Sequence, residues 1–240
     1  MIPLRDDQPR YSTPYVTYFL IALNAAVFFL ELSQGPRAQN ALIYEFGIVP
    51  RHFGSALAGP HLQLGVFLTI LTSMFLHGGW LHIIGNMWVL WIFGDNIEHQ
   101  LGHFTYLVFY LLCGFAAGVT HVVLNSGSNI PTVGASGAIA GIMGAYFLLY
   151  PRARVLTLVP LIVFFTFWWL PAWIVLGYWF VLQFFSGALT RAAAMGHDTG
   201  GIAFWAHVGG FVAGIVLIKV FPQRQGRYRY GAQQSRWNPS

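Results

Sequence analysis

Charge is what this sequence has least of. Only 8% of its 240 residues are charged, against about 25% in ordinary globular domains, while 56% are hydrophobic. So few charges cannot cover the water-facing surface of a soluble chain of this length. Lipid must therefore cover much of the surface, and we predict an all-α, polytopic membrane protein embedded in a lipid bilayer.

Cysteine and acidic residues are also scarce. The single cysteine, Cys113, can form neither an internal disulfide nor a thiolate metal cluster. Twelve Lys and Arg against seven Asp and Glu give a net charge of +5. Because the basic residues sit mainly in short connections and tails, the excess indicates membrane orientation, and we expect no nucleic-acid partner.

Apolar runs long enough to cross a bilayer predict a bundle of six transmembrane helices. The predicted spans are residues 15–32, 78–97, 104–124, 136–150, 171–185 and 201–221. We divide the chain into an N-terminal tail (1–14), a transmembrane domain (15–221) and a basic C-terminal tail (222–240) that we expect to be poorly ordered.

Three connections have their own character. Residues 33–64 are mixed in polarity and are expected to lie in the interface or to pack on the bundle. Residues 155–170, interrupted by Pro160, are expected to form an interfacial or re-entrant piece, with the aromatic residues 164–169 as interfacial anchors. Residues 186–200 form a polar loop.

Basic residues give the orientation. Six spans put both termini on one side with nine basic residues: Arg5, Arg10, Arg152, Arg154, Lys219, Arg224, Arg227, Arg229 and Arg236. The other side holds Arg37, Arg51 and Arg191. This distribution places both termini in the cytoplasm, and we expect the inner (plasma) membrane of a bacterium.

Four polar residues inside spans converge on one membrane face, and such residues are functional candidates by default. His82 and Asn86 share a helix face in the second span. Ser136 begins the fourth span between Gly134 and Gly137, where small neighbours and free backbone N–H groups favour an oxyanion. His207 lies about two turns into the sixth span.

Small residues recur beside Ser136 and His207. The fourth span carries Gly137, Gly141 and Gly144, with Ser136, Ala140 and Gly144 four residues apart. The sixth span carries Ala206, Gly210 and Gly214 at the same spacing. Such stripes let membrane helices pack backbone to backbone, which would bring the serine and the histidine together.

A serine hydroxyl needs a base to become nucleophilic. Of the seven acids, none falls beside His207 within the predicted bundle, and Asp198 lies in the loop. We therefore predict a Ser136–His207 dyad without a carboxylate, oriented by packing and local hydrogen bonds.

Three motifs resemble those of the rhomboid family of intramembrane serine proteases. They are His77-Gly-Gly-Trp-Leu-His82-Ile-Ile-Gly-Asn86-Met87, Gly134-Ala135-Ser136-Gly137, and Ala206-His207-Val208-Gly209-Gly210 followed by Gly214. Their order and spacing match the family over roughly residues 15–221.

The resemblance implies that Ser136 attacks a peptide carbonyl of a single-pass transmembrane substrate near the outer face, with His207 as base and no cofactor or metal. It further implies that His82, Asn86 and the Ser136 backbone N–H bind the oxyanion. Glu98 resembles a polar anchor at the inner end of the second span.

The resemblance also assigns roles to the connections. Residues 33–64 resemble the family's first loop, and the fifth span with loop 186–200 would be the lateral gate and cap. Some members have an aromatic residue four positions after the nucleophile, stacked on the base. This chain has Ala140 there, so another residue must orient His207.

Other readings stay open. Ser136 and His207 taken singly could be packing residues, and His82 and Asn86 could join helices. His77, His82 and His207 could bind zinc, although their spacing differs from a zincin helix and no carboxylate joins them. The whole protein could be an inactive pseudoprotease that binds membrane helices, or a channel or transporter.

Overall fold

The computed structural model describes residues 1–58, 63–161, 164–193 and 203–224, and these are mostly helical. The helices are α1 (Tyr15–Ser33), α2 (Gly35–Phe46), α3 (Pro50–Ala58), α4 (Leu64–Thr72), α5 (Trp80–Leu101), α6 (His103–Leu124), α7 (Ser136–Leu149), α8 (Ala172–Ala193) and α9 (Phe204–Leu217). The strands are β1 (Ile2–Asp6), β2 (Arg154–Leu161) and β3 (Phe164–Pro171).

Three of the described helices are long and apolar enough to cross a membrane: Tyr15–Ser33, His103–Leu124 and Ala172–Thr190. A fourth candidate is the bent pair Leu64–Phe75 and Trp80–Leu101, whose parts meet at 79°. Helices α7 and α9 are apolar but only 14 residues long, about 21 Å, which is shorter than a bilayer core. The protein is thus an integral membrane protein, but the predicted count of six spans is not confirmed.

Helix α7 is the centre of the bundle. Residues 137–146 are all buried, and α7 contacts α5, α6, α8 and α9. A helix that is apolar all round is expected in such a position, because every face meets another helix and not water.

Glycines set the distance between α7 and α9. A Cβ atom on Gly210 would lie 2.0 Å from the carbonyl oxygen of Gly137, and one on Gly214 would lie 1.9 Å from that of Gly141. The two helices therefore run parallel with their backbones in contact, as the small-residue spacing predicted. The α7 residues in contact with α9 are Gly137, Gly141 and Gly144. The strict four-residue pattern on this helix was instead Ser136, Ala140 and Gly144.

The all-α prediction is wrong for residues 155–170, the segment expected to be interfacial or re-entrant. They form a hairpin in which β2 pairs antiparallel with β3, and β1 from the predicted N-terminal tail pairs with β2. Pro160 and Pro171 cannot lie in a helix interior, and the β-branched and aromatic residues between them favour strands.

Two further boundaries differ from the prediction. Helix α8 runs to Ala193 and so occupies the first half of the expected loop 186–200, whose remaining residues lie outside the described ranges together with Asp198 and most of the 222–240 tail. Residues 64–75 form α4 and a 3-10 turn (Ser73–Phe75), between the mixed segment 33–64 and the predicted span 78–97, where no element was predicted.

The bundle has two polar ends. We call the end where α5, α7 and α9 begin the site end, and the end where α1, α6 and α8 begin the anchor end. At the site end, an antiparallel bridge between Ile48 and Thr132 joins the 33–64 segment to the connection before α7. At the anchor end, β1 meets α5 and α7 through hydrogen bonds of Asp6 to Asn96 and Tyr146.

Candidate active site

The backbone turns sharply immediately before Ser136. Gly134 has φ of +126°, in the left-handed region that favours glycine, and its N–H donates to the carbonyl oxygen of Ser73 over 2.8 Å. A Cβ atom at this position would lie 2.6 Å from Nε2 of His82. Glycine is thus required here both for the turn and for the close approach of the His82 ring.

Ser136 is the first residue of α7, so its hydroxyl stands at a helix N-terminus. The first backbone N–H groups of a helix have no partner within the helix, and they carry the positive end of the helix dipole. Ser136 itself is half-buried. The position combines an accessible hydroxyl with donors that suit a developing negative charge.

His207 lies beside Ser136. Its Nε2 is 2.8 Å from Ser136 Oγ, and its side chain is 8% exposed. The glycine contact between α7 and α9 accounts for this approach, since Ala206 and Gly210 face Gly137 across the interface. The structure therefore joins two residues that are 71 positions apart in the sequence.

The other ring nitrogen of His207 contacts a residue that the sequence analysis missed. Nδ1 lies 2.7 Å from Oε1 of Gln183 on α8, and the Trp179 ring is 5.6 Å from the imidazole. The sequence could have indicated this residue, because Gln183 is an amide side chain in an otherwise apolar run and polar residues within spans are functional candidates.

Both ring nitrogens of His207 are thus engaged by uncharged groups. In the described part of the chain, no carboxylate shares these contacts. Ala140, at the position where some family members have an aromatic residue, is fully buried in α7, and its side chain is only a methyl group.

His82 and Asn86 lie on α5 on the far side of Gly134. Nδ2 of Asn86 would be 3.5 Å from a Cβ atom on Gly134, which puts both side chains next to the residue pair before α7. Asn86 Nδ2 also lies 3.0 Å from His77 Nε2. The four candidate residues therefore surround one small volume at the site end.

His77 connects this volume to α1. It is fully buried, its backbone N–H donates to the Glu31 carboxylate, and its ring packs edge-on to His82 at 5.2 Å. From the sequence, His77 was interpreted as part of a motif, as a structural residue at the interface or, alternatively, as a zinc ligand. Among the described residues, no group of three or more His, Cys, Asp or Glu side chains is placed to hold a metal ion.

Glu98 lies at the opposite end of the bundle. It is fully buried and accepts hydrogen bonds from the backbone N–H groups of Val16 and Thr17 and from the Thr17 hydroxyl, and it contacts Nδ1 of His103. Its carboxylate thereby caps the N-terminus of α1, where negative charge is favoured. This position is distant from Ser136 and suits an anchor.

Comparison with known proteins agrees with the motifs. The chain is 33% identical over 132 residues to the Rhomboid protease GluP of Bacillus subtilis, a match covering 55% of this chain and 24% of that protein. It is 26% identical over 205 residues to Rhomboid protein 1, mitochondrial, of Saccharomyces cerevisiae, covering 84% and 51% respectively. It is 31% identical over 137 residues to the human Presenilin-associated rhomboid-like protein, mitochondrial, covering 56% and 33%.

These matches span about a quarter to a half of the relatives' own length. Two of the three names place the relative in mitochondria, so the comparisons do not support the expected location in a bacterial inner membrane. A family model described as the Rhomboid domain matches residues 64–224. This is more than half of the chain and includes every residue of the three motifs, and the protein therefore belongs to the rhomboid family.

Proposed function

We propose that this protein is an intramembrane serine endopeptidase that cleaves single-pass transmembrane substrates near the outer membrane face. The observation that carries the proposal is the 2.8 Å contact between Ser136 Oγ and His207 Nε2. A serine hydroxyl becomes a useful nucleophile only with a base at this distance. Family membership supports the same reaction class.

The first half of the reaction forms an acyl-enzyme. His207 Nε2 takes the Ser136 proton while Oγ attacks the scissile carbonyl carbon. The resulting tetrahedral intermediate collapses when the C–N bond breaks, and His207 returns the proton to the leaving amine. Water from the outer side then attacks the ester with His207 again as base, which releases the new carboxyl terminus and restores Ser136.

The oxyanion of both tetrahedral intermediates needs donors at fixed positions. We assign this role to the Ser136 backbone N–H, to the Asn86 amide and to His82. Support comes from Gly134, which lies against both side chains and leads directly into Ser136. The contact of Asn86 with His77 would hold the amide in place through one of its N–H groups and leave the other for substrate.

The proposal includes the membrane arrangement drawn from the basic residues, with six spans and both termini in the cytoplasm. In this arrangement α7 and α9 are short spans inside the bundle, and the bent pair α4–α5 counts once. Helix α8 forms the lateral gate through which a substrate helix reaches Ser136. Exposed apolar residues along α8, such as Trp173, Leu182 and Phe185, suit a helix that faces lipid.

Fluorophosphonate labelling of the detergent-purified protein tests the proposal directly. Wild type should label at Ser136, and both Ser136→Ala and His207→Ala should lower the labelling rate and the cleavage of a transmembrane substrate by at least about a thousandfold. Ser33→Ala, on the exposed end of α1, is the matched control and should behave as wild type.

The opposite result has a definite meaning. A folded wild type that neither labels nor cleaves would reject the peptidase and leave a helix-binding pseudoprotease. Cleavage that survives Ser136→Ala would reject the assigned nucleophile.

A further inference from the structure

Helix α8 presents two residues to the imidazole of His207. Gln183 Oε1 lies 2.7 Å from Nδ1, and the Trp179 ring centroid lies 5.6 Å from that of the imidazole at an angle of 38°. The two residues are four positions apart, so they occupy one face of α8. Their neighbours Tyr178 and Leu182 are exposed.

The Gln183 contact selects one tautomer of His207. A carbonyl oxygen only accepts hydrogen bonds, so the amide orientation in which Oε1 faces the ring pairs with a proton on Nδ1. Nε2 then carries a lone pair and can accept the Ser136 proton. The other tautomer would require the Gln183 amide to turn so that its NH2 donates to Nδ1, and Nε2–H would then point at Ser136, where it could not act as a base.

Trp179 complements this contact when His207 becomes charged. After the proton transfer the ring is an imidazolium, and the face of an indole attracts a cation within about 6 Å. The Gln183 carbonyl dipole acts in the same direction. The helix that carries the nucleophile contributes nothing comparable, because Ala140 is the residue at the corresponding position.

We propose that Gln183 and Trp179 are positioning residues that hold His207 in the Nδ1–H tautomer and support its protonated form, so that α8 and not α7 orients the base. This inference rests on the proposed peptidase function. It also explains how a dyad works without a carboxylate, since a neutral acceptor from a third helix fixes the ring.

Substitution of Gln183 separates orientation from folding. Gln183→Met keeps the length and removes the acceptor, and it should lower both the labelling rate and kcat by about 10–100-fold, part of what a general base supplies. KM should stay within about twofold, because Gln183 contacts the base and not the substrate.

Gln183→Glu is the rescue variant. A carboxylate accepts from Nδ1–H and favours the imidazolium, so activity should be retained and the acidic limb of the pH–rate profile should move to higher pH. The other titratable side chains that act on His207 are His82 on α5 and His121 on α6, and both are unchanged in this variant.

Trp179→Leu should have a smaller effect, a loss of about threefold to tenfold in kcat from the missing cation–π attraction. Trp168→Leu on β3 is the matched control, because Trp168 is exposed and lies on the hairpin, outside the helices that form the site and the gate. Its kcat should equal that of wild type.

The inference would be overturned if Gln183→Met labelled at the wild-type rate and Gln183→Glu had an unmoved pH profile. The peptidase would still be supported in that case if Ser136→Ala abolished labelling. A loss in Gln183→Met that tracks a lower melting temperature, with no shift of the profile in Gln183→Glu, would also overturn it by showing a structural role. Wild type that does not label would reject the peptidase itself.

Discussion

The two polar ends of the bundle differ in how fully their groups are bonded. At the anchor end, charged side chains are saturated: Glu98 accepts three hydrogen bonds from the start of α1, and Asp95 accepts from Arg10 and from Asn96. At the site end the groups around Ser136 are neutral and carry fewer bonds, and the Glu31 carboxylate lies behind His77. Ser136 meets His207, and Nδ1 of the buried His77 has no hydrogen-bond partner in the described part of the chain.

This difference indicates that the anchor end contributes mainly to stability and the site end mainly to the reaction. A saturated buried charge resists change, because every lost partner leaves an uncompensated group in an apolar medium. A neutral group with an unused hydrogen-bond donor or acceptor can take up a proton or bind an oxyanion at little cost in free energy. Substitutions at the anchor end should therefore change stability, and substitutions at the site end should change rate.

Asn86 and Asn96 give the sharpest test, since they lie ten residues apart on α5. Asn86→Ala should lower kcat by about 10²–10³-fold, the usual loss for one oxyanion donor, with a smaller loss of stability than Asn96→Ala because only the bond to His77 is removed. Asn96→Ala removes hydrogen bonds to Asp6 and Asp95 and should lower the melting temperature with kcat per folded molecule unchanged. Equal rate losses in both variants would break the comparison.

Substitution of Gly214 should lower both stability and reactivity, because Gly214 lies in the contact between α7 and α9 that brings Ser136 and His207 together. A Cβ atom there would lie 1.9 Å from the Gly141 carbonyl oxygen, so Gly214→Ala must push α9 from α7 and should cost roughly 3 kcal/mol of stability together with the Ser136 labelling. Gly85→Ala on α5, where a Cβ atom meets nothing within 4 Å, is the control for unfolding measurements. Equal stability of the two variants would show that the helices are not held by close contact.

Glu98→Gln probes the anchor end alone. The amide cannot accept all the bonds that the carboxylate accepts, and the free energy of unfolding in detergent should fall by about 2 kcal/mol. The labelling rate of the folded fraction should not change, because Glu98 lies at the other end of the bundle. Glu45→Gln, an exposed substitution, should leave both quantities unchanged.

Asp6 should make stability depend on pH. Burial raises the pKa of this carboxyl from 3.8 to about 6, with the Tyr146 hydrogen bond opposing the shift and the charges of Asp95 and Asp7 adding to it. A raised pKa means that the folded state holds more protons than the unfolded state between about pH 4 and pH 6. Stability should therefore fall as the pH rises through this window, by up to about 2 kcal/mol.

Asp6→Asn isolates this contribution. The substitution should remove most of the pH dependence in that window without changing the labelling rate at Ser136. An unchanged slope of unfolding free energy against pH would show that Asp6 does not titrate there.

Much of the site could be predicted from the sequence. Scarcity of charge required a membrane protein, and polar residues inside apolar runs drew attention to Ser136, His207, His82 and Asn86. Glycine and alanine at four-residue spacing predicted the contact between α7 and α9, because close packing in lipid leaves few other residue types possible. Membership in the rhomboid family follows from the same motifs.

The hairpin of β2 and β3 illustrates what local patterns do not reveal. After Arg154 its residues carry no charge and most are apolar, and in a membrane protein such a run suggests a helix first. The edge of β2 away from β3 pairs with β1, which comes from the N-terminus, and so distant a partner is not visible in a local window.

The sequence by itself determined that the protein lies in a membrane, which residue types form the candidate site, and that α7 packs closely with α9, since each depends on composition or on spacing within a helix. Tertiary structure decided that Gln183 and Trp179 face His207. Helix α8 is apolar on the sides that meet protein and on those that meet lipid, so no hydrophobic pattern fixes its rotation. Only its packing beside α9 selects the face that orients the base.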